Sequence, residues 1–127
     1  MMGTYFDIAY MIKSFPTLLG MVHITLLVTI FSAIVGILLG AVIAILRIQK
    51  VPVLAPLLRV FISFMRGTPF LVQLFLAYFG VPEILSHIGI SMKGVPPLAF
   101  VLAVFTLHMA AYGAEIMRSS ILAVPVG

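Results

Sequence analysis

Long apolar runs alternate with short polar punctuation along this chain, and the runs exceed what a soluble helix needs. No charged residue occurs between Lys13 and Arg47. A membrane span takes roughly 20 apolar residues, so this run crosses a bilayer with length to spare. Pro16 suits a first helical turn, which places span one at about residues 17–46, with 14–20 free to lie at the interface. Residues 48–55 contain Gln49, Lys50 and Pro52, are followed by Pro56, and read as a loop. Span two is expected at about 57–79, ended by Gly80, Pro82 and Glu83. Residues 83–97, with His87, Gly89, Lys93, Gly94, Pro96 and Pro97, read as a second loop or short surface helix. Span three follows at about 98–122, and Pro125 and Gly127 break what comes after.

Composition fixes the class. Of 127 residues, 64% are hydrophobic and 8% charged, with a mean hydropathy of +1.35. Soluble domains carry about 25% charge, and a water-soluble fold of this size has too little interior to hide so much apolar surface. The expected architecture is an all-α polytopic membrane bundle with three spans in this chain. Residues 1–10 lack a basic n-region, and the following run exceeds the about 7–15 residues of a signal-peptide core. It therefore reads as a retained span.

The net charge of +4 comes from seven scattered Lys and Arg residues that make no stripe, which argues against nucleic acid as a partner. Their positions carry orientation instead. Arg47, Lys50, Arg59 and Arg66 follow span one without an acid among them, whereas Glu83 and Lys93 follow span two and Asp7 and Lys13 precede span one. The positive-inside rule makes the first loop cytoplasmic, the N-terminus external and Gly127 internal. Cysteine is absent, which removes disulfides and thiolate metal sites. Trp is absent too, so Tyr and Phe must supply any interfacial belt.

Three groups of residues call for more than lipid solubility. Ser32, Gly36, Gly40 and Ala44 recur every four residues, a small-residue stripe along which helix backbones approach closely. It serves packing within one subunit or an interface between subunits. Arg66, Gly67, Thr68 and Pro69 form a helix-breaking knot inside an apolar segment, with Gln73 one turn on. Pro69 cannot donate a backbone hydrogen bond and Gly67 adds freedom to bend. Freed carbonyls at membrane depth are tolerated only where protein or a wet cavity shelters them. The alternative is a span that starts at Pro69, with Arg66 as an ordinary cytoplasmic flank. Span three ends in HMAAYGAEIMR, which puts His108, Tyr112 and Glu115 on one helix face and lets Glu115 pair with Arg118. An acid within a span is a functional candidate, or else an ion pair that orients the helix; His108 reads as a hydrogen-bonded packing residue. No nucleotide-cradling glycine loop, metal-ligand spacing or nucleophile with a base partner is present, so nothing supports an enzyme or a metal site.

HITLLVTIFSAIVGILLGAVIAILR, RGTPFLVQLFLAYFG and AAYGAEIMRSSILAVPVG resemble, in order and spacing, the permease subunits of bacterial ABC importers for polar amino acids. The most specific part is Arg66 to Gln73, followed by Ala114, Glu115 and Arg118 and the closing Pro125, Val126 and Gly127. The resemblance implies a multi-pass subunit of the bacterial cell membrane, one of about five spans, paired with a second copy or a sister permease. It implies ATPase subunits that bind the ATP, so the permease itself needs no cofactor, and a solute-binding protein that delivers the amino acid. The ATPase docks on a loop that follows the stretch matching ILAVPVG, so the chain is expected to be an N-terminal part of such a domain. It further implies that Thr68, Gln73 and Glu115 offer groups to a zwitterionic substrate and that Gly67 and Pro69 form a helix hinge. Readings from other classes are a channel or secondary-carrier subunit, or a membrane piece without transport activity.

Overall fold

The structure, a computed structural model, describes residues 6–125. The expectations for the N-terminus and for Val126 and Gly127 lie outside the described residues. Among the described residues six α-helices and one π-helical turn follow in order: α1 Ile8–Gly20, α2 Val22–Ile48, α3 Leu54–Gly67, α4 Phe70–Phe75, the π turn Leu76–Gly80, α5 Val81–His87 and α6 Pro97–Ala123. Three stretches are long and apolar enough to cross a membrane: Val22–Ile48, Phe70–His87 and Pro97–Ala123. Large apolar side chains are exposed along all of them, as expected for helices whose surrounding solvent is lipid.

The seam between α2 and α6 frames the molecule. Along α2, Ser32, Gly36, Gly40 and Ala44 are buried; along α6, Ala110, Ala111 and Ala114 are fully enclosed. A β-carbon placed on Gly36 would lie 2.6 Å from the Met109 β-carbon, and one on Gly40 would lie 2.9 Å from the Ala110 carbonyl oxygen. The two backbones touch at these points, and only glycine fits. Since lipid tails are as apolar as leucine, this close packing rather than the hydrophobic effect holds the helices together. α3 lays Ile62 and Met65 against the same core beside Ile43.

The structure draws three boundaries differently from the sequence reading. Pro16 lies inside α1 rather than at the start of the first span, and Met21 separates α1 from α2. At 1.5 Å per residue, α1 is about 20 Å long, too short to cross. The element expected at 57–79 is divided: α3 stops at Gly67, Thr68 and Pro69 are extended, and the crossing stretch begins at Phe70. It also does not end at Gly80. Val81 N–H bonds to Leu76 O across five residues, and the helix continues through Pro82 to His87. Pro82 has no N–H to place in the ladder, and a π turn interrupts the regular pairing just before it.

Connections use helix-end geometry. After α5, Gly89 at φ 85 closes a six-residue turn, its N–H on Ser86 O and the Ile90 N–H on Leu85 O. After α2 the same motif recurs with Lys50 at φ 52, its N–H on Arg47 O and the Val51 N–H on Leu46 O. Val53 then sits at φ 67, ψ −47, the centre of a tight turn in which Leu54 N–H reaches Pro52 O at 2.7 Å. A β-branched residue there is strained by roughly 1–3 kcal/mol.

The seam makes two neighbours respond oppositely. Gly40→Ala should destabilise by about 1–3 kcal/mol, because backbone atoms cannot move aside. Ser32→Ala should be neutral or stabilising, since the buried Ser32 Oγ has no hydrogen-bond partner among the described residues. Reversible unfolding in mixed micelles reads both; equal effects would mean that the backbones do not meet at Gly40. Val53→Gly should raise stability by about 1 kcal/mol in the same assay.

Candidate functional site

The break after α3 is held by one side chain. In a continuous helix Met65 O would accept from residue 69, which is proline and has no N–H. Gln73 supplies the missing donor: its Nε2 gives hydrogen bonds to Met65 O at 2.7 Å, and to Thr68 O and Thr68 Oγ1 at 3.1 Å. Thr68 turns its hydroxyl back onto Phe64 O, the acceptor that also takes the Thr68 N–H. Gln73 Oε1 meets His108 Nδ1 on α6 at 3.2 Å. The amide nitrogen faces three oxygens, so the amide oxygen faces His108, and Nδ1 is the donor. His108 is fixed further by the Phe70 ring edge and by Tyr112, at centroid distances of 5.3 and 4.7 Å. Gln73 itself is only 5% exposed.

About two helical turns beyond His108 along α6 lies a charge cluster. Glu115 receives Arg118 Nη2 at 2.6 Å from its own helix and Arg47 Nη1 at 2.6 Å from the last turn of α2. The Arg47 bond joins residues 68 apart and ties the two seam helices at one end. On the other side of Glu115, Arg66 lies over the Tyr112 ring, 5.7 Å from its centroid. Arg66, Tyr112, Glu115, Ile116, Ser119 and Ser120 line a hollow of about 320 Å³. Among the described residues no group of His, Cys, Asp or Glu side chains is arranged to hold a metal.

The residues expected to share a site therefore fall into two neighbouring places. Thr68 and Gln73 are at the helix break and bond to the backbone around it; Glu115 borders the hollow. Gly67 and Pro69 flank the break, Gly67 with open space around its α-carbon. Arg47 as a partner of Glu115 was not foreseen, nor were Ser119 and Ser120 in the hollow. The only sequence signal for Arg47 was the stripe itself, which runs in register to the end of α2.

Known proteins resemble the chain in both sequence and fold. The chain is 38% identical over 119 residues to the probable amino-acid ABC transporter permease protein PatM of Vibrio harveyi, covering 94% of this chain and 52% of that one. It is 38% identical over 112 residues to the L-cystine transport system permease protein TcyL of Bacillus subtilis strain 168, covering 88% and 47%. A crystal structure of an amino acid ABC transporter with histidines superimposes with a TM-score of 0.77 at 30% identity, over 96% of this chain and 54% of that one. The chain is a homologue of the amino-acid ABC transporter permeases. It spans about half the length of the curated permeases it matches. No protein-family model matches the chain. The described residues, all-helical with three candidate spans, match about half of that amino acid ABC transporter chain, and the protein is a membrane protein. The channel and secondary-carrier readings are not favoured by these relatives.

Gln73→Leu in this chain should cost at least about 2 kcal/mol, because Met65 O, Thr68 O and His108 Nδ1 all lose their partner. Hydrogen exchange at the amides of residues 66–73 should quicken with it. Unchanged exchange would show that the break is held by something other than Gln73.

Proposed function

We propose that this chain forms part of the translocation pathway of an ATP-driven importer of small polar amino acids. It works with ATPase subunits that bind the ATP, a solute-binding protein and a second permease, and its own contribution is non-covalent. The observation that carries this is the hollow beside Glu115, where a carboxylate and the Arg66 guanidinium border one space of about 320 Å³. Opposite charges with the Ser119 and Ser120 hydroxyls suit a zwitterion: Glu115 faces its ammonium and Arg66 its carboxylate. The functions of relatives agree with this class, among them L-cystine transport in Bacillus subtilis and nopaline transport in Agrobacterium fabrum.

On this reading Thr68 and Gln73 serve the pathway as supports for the break rather than as direct ligands. Gly67 and Pro69 are the hinge at which α3 and α4 change their angle as the ATPase closes. The cationic flank of Arg47, Lys50 and Arg59 puts this end of α2 in the cytoplasm and the N-terminus outside.

Uptake into proteoliposomes holding the complete permease with its ATPase and solute-binding protein is the test. Arg66→Gln should raise the substrate concentration for half-maximal transport about tenfold, one lost charge-assisted contact, while leaving folded yield unchanged. Glu115→Gln should lower substrate-stimulated ATPase activity as well. Transport and ATPase activity unaltered in both variants would exclude the hollow as a substrate site.

A further inference from the structure

A second cavity lies on the far side of the Glu115 cluster, where the ends of α2 and α6 meet the 48–56 connection. Its volume is about 380 Å³, and its wall carries Arg47, Lys50, Arg59 and Arg118. Four cations thus surround one space, and the carboxylate of Glu115 is shared by two of them, Arg47 and Arg118. Lys50 and Arg59 make no side-chain hydrogen bond or ion pair among the described residues. The remaining wall is apolar, including Ile48, Val51 and Leu122.

The position selects the ligand. Two crossing stretches end here, at Ile48 and Ala123, so the cavity lies at the level where the hydrocarbon gives way to headgroups. Cations gathered at that level with apolar walls beside them match a phosphate ester carrying acyl chains. The loop geometry sets where the side chains start: the turn that closes α2 fixes the Lys50 backbone, and the tight turn at Val53 leads into α3, which bears Arg59.

We propose that this cavity binds the headgroup phosphate of an anionic phospholipid, with Lys50 and Arg59 as its principal counter-charges and Arg47 and Arg118 completing the ring. The proposal does not rest on the reading of the substrate hollow and requires only that the chain be membrane-embedded.

Native mass spectrometry of the complete permease, released from vesicles of phosphatidylcholine mixed with phosphatidylglycerol, tests it. The wild type should retain phosphatidylglycerol over phosphatidylcholine. Lys50→Gln with Arg59→Gln should weaken that retention about thirtyfold, at roughly fivefold for each cation lost near an anionic surface. Lys93→Gln, on the other connection, should leave it unchanged. Arg59→Lys keeps the charge and should keep most of the lipid, so a general folding defect is distinguishable by its loss in both Arg59 variants. Retention that survives the double substitution overturns the proposal. So does displacement of the bound lipid by millimolar inorganic phosphate, which would make the cavity a site for soluble phosphate.

Discussion

The contact between the backbones of α2 and α6 is the constraint on which the rest depends. In lipid no hydrophobic force draws two helices together, so association has to come from surfaces that fit at atomic range. Gly36 and Gly40 remove the side chains that would hold the helices apart, and Ala110 and Ala114 receive them. With the two axes locked at this distance, everything further along them is placed. Arg47 arrives opposite Glu115 because it follows the stripe by three residues on α2. His108 and Tyr112 face α4 and Arg66 because the other side of α6 is already occupied.

The second constraint is that no backbone polar group at membrane depth be left alone. Pro69 creates a vacancy at Met65 O, and Gln73 fills it from one turn ahead while reaching across to His108. A continuous helix would have been simpler to stabilise. What the arrangement supplies is a bend whose hydrogen bonds come from side chains, which rotate, rather than from a backbone ladder, which does not. The proposed alternation between two states calls for such a place, because rigid packing at the seam allows none.

These two constraints divide what was legible in the sequence from what was not. The helical class, the apolar spans and the knot at Gly67 to Pro69 could be read, because each is written in local composition. The stripe could be read as a packing surface, but its partner could not, since nothing in a spacing of four names the helix that meets it. Span boundaries around Gly80 and Pro82 were misplaced for a local reason: proline usually ends a helix, and a π turn that lets one continue has no distinct sequence pattern. The role of Gln73 was hidden similarly. A polar residue within a span suggests a pathway, and only the coordinates reveal that its donors go to the carbonyl left vacant by Pro69. Arg47 looked like one more member of a cytoplasmic charge flank until the seam delivered it to Glu115.

That last contact bears on how a charge cluster can take part in transport. Two guanidiniums on one carboxylate would oppose any change if losing Glu115 left both uncompensated, since an unpaired buried charge costs about 3–5 kcal/mol. Arg47 is not in that position. It stands in the last turn of α2, where the helix dipole favours a cation, and it also lines the cavity proposed to hold a lipid phosphate. Arg118 borders the same cavity. With the proposed phosphate bound, both cations have a second source of negative potential within reach, and Glu115 is free to turn toward the proposed substrate's ammonium without stranding either. On this view the proposed lipid phosphate takes over Arg47 and Arg118 as Glu115 turns to the proposed substrate, so the two ligands support one another from opposite sides of one carboxylate, and the free energy separating the two arrangements stays small enough for ATP binding on the proposed partner to tip it.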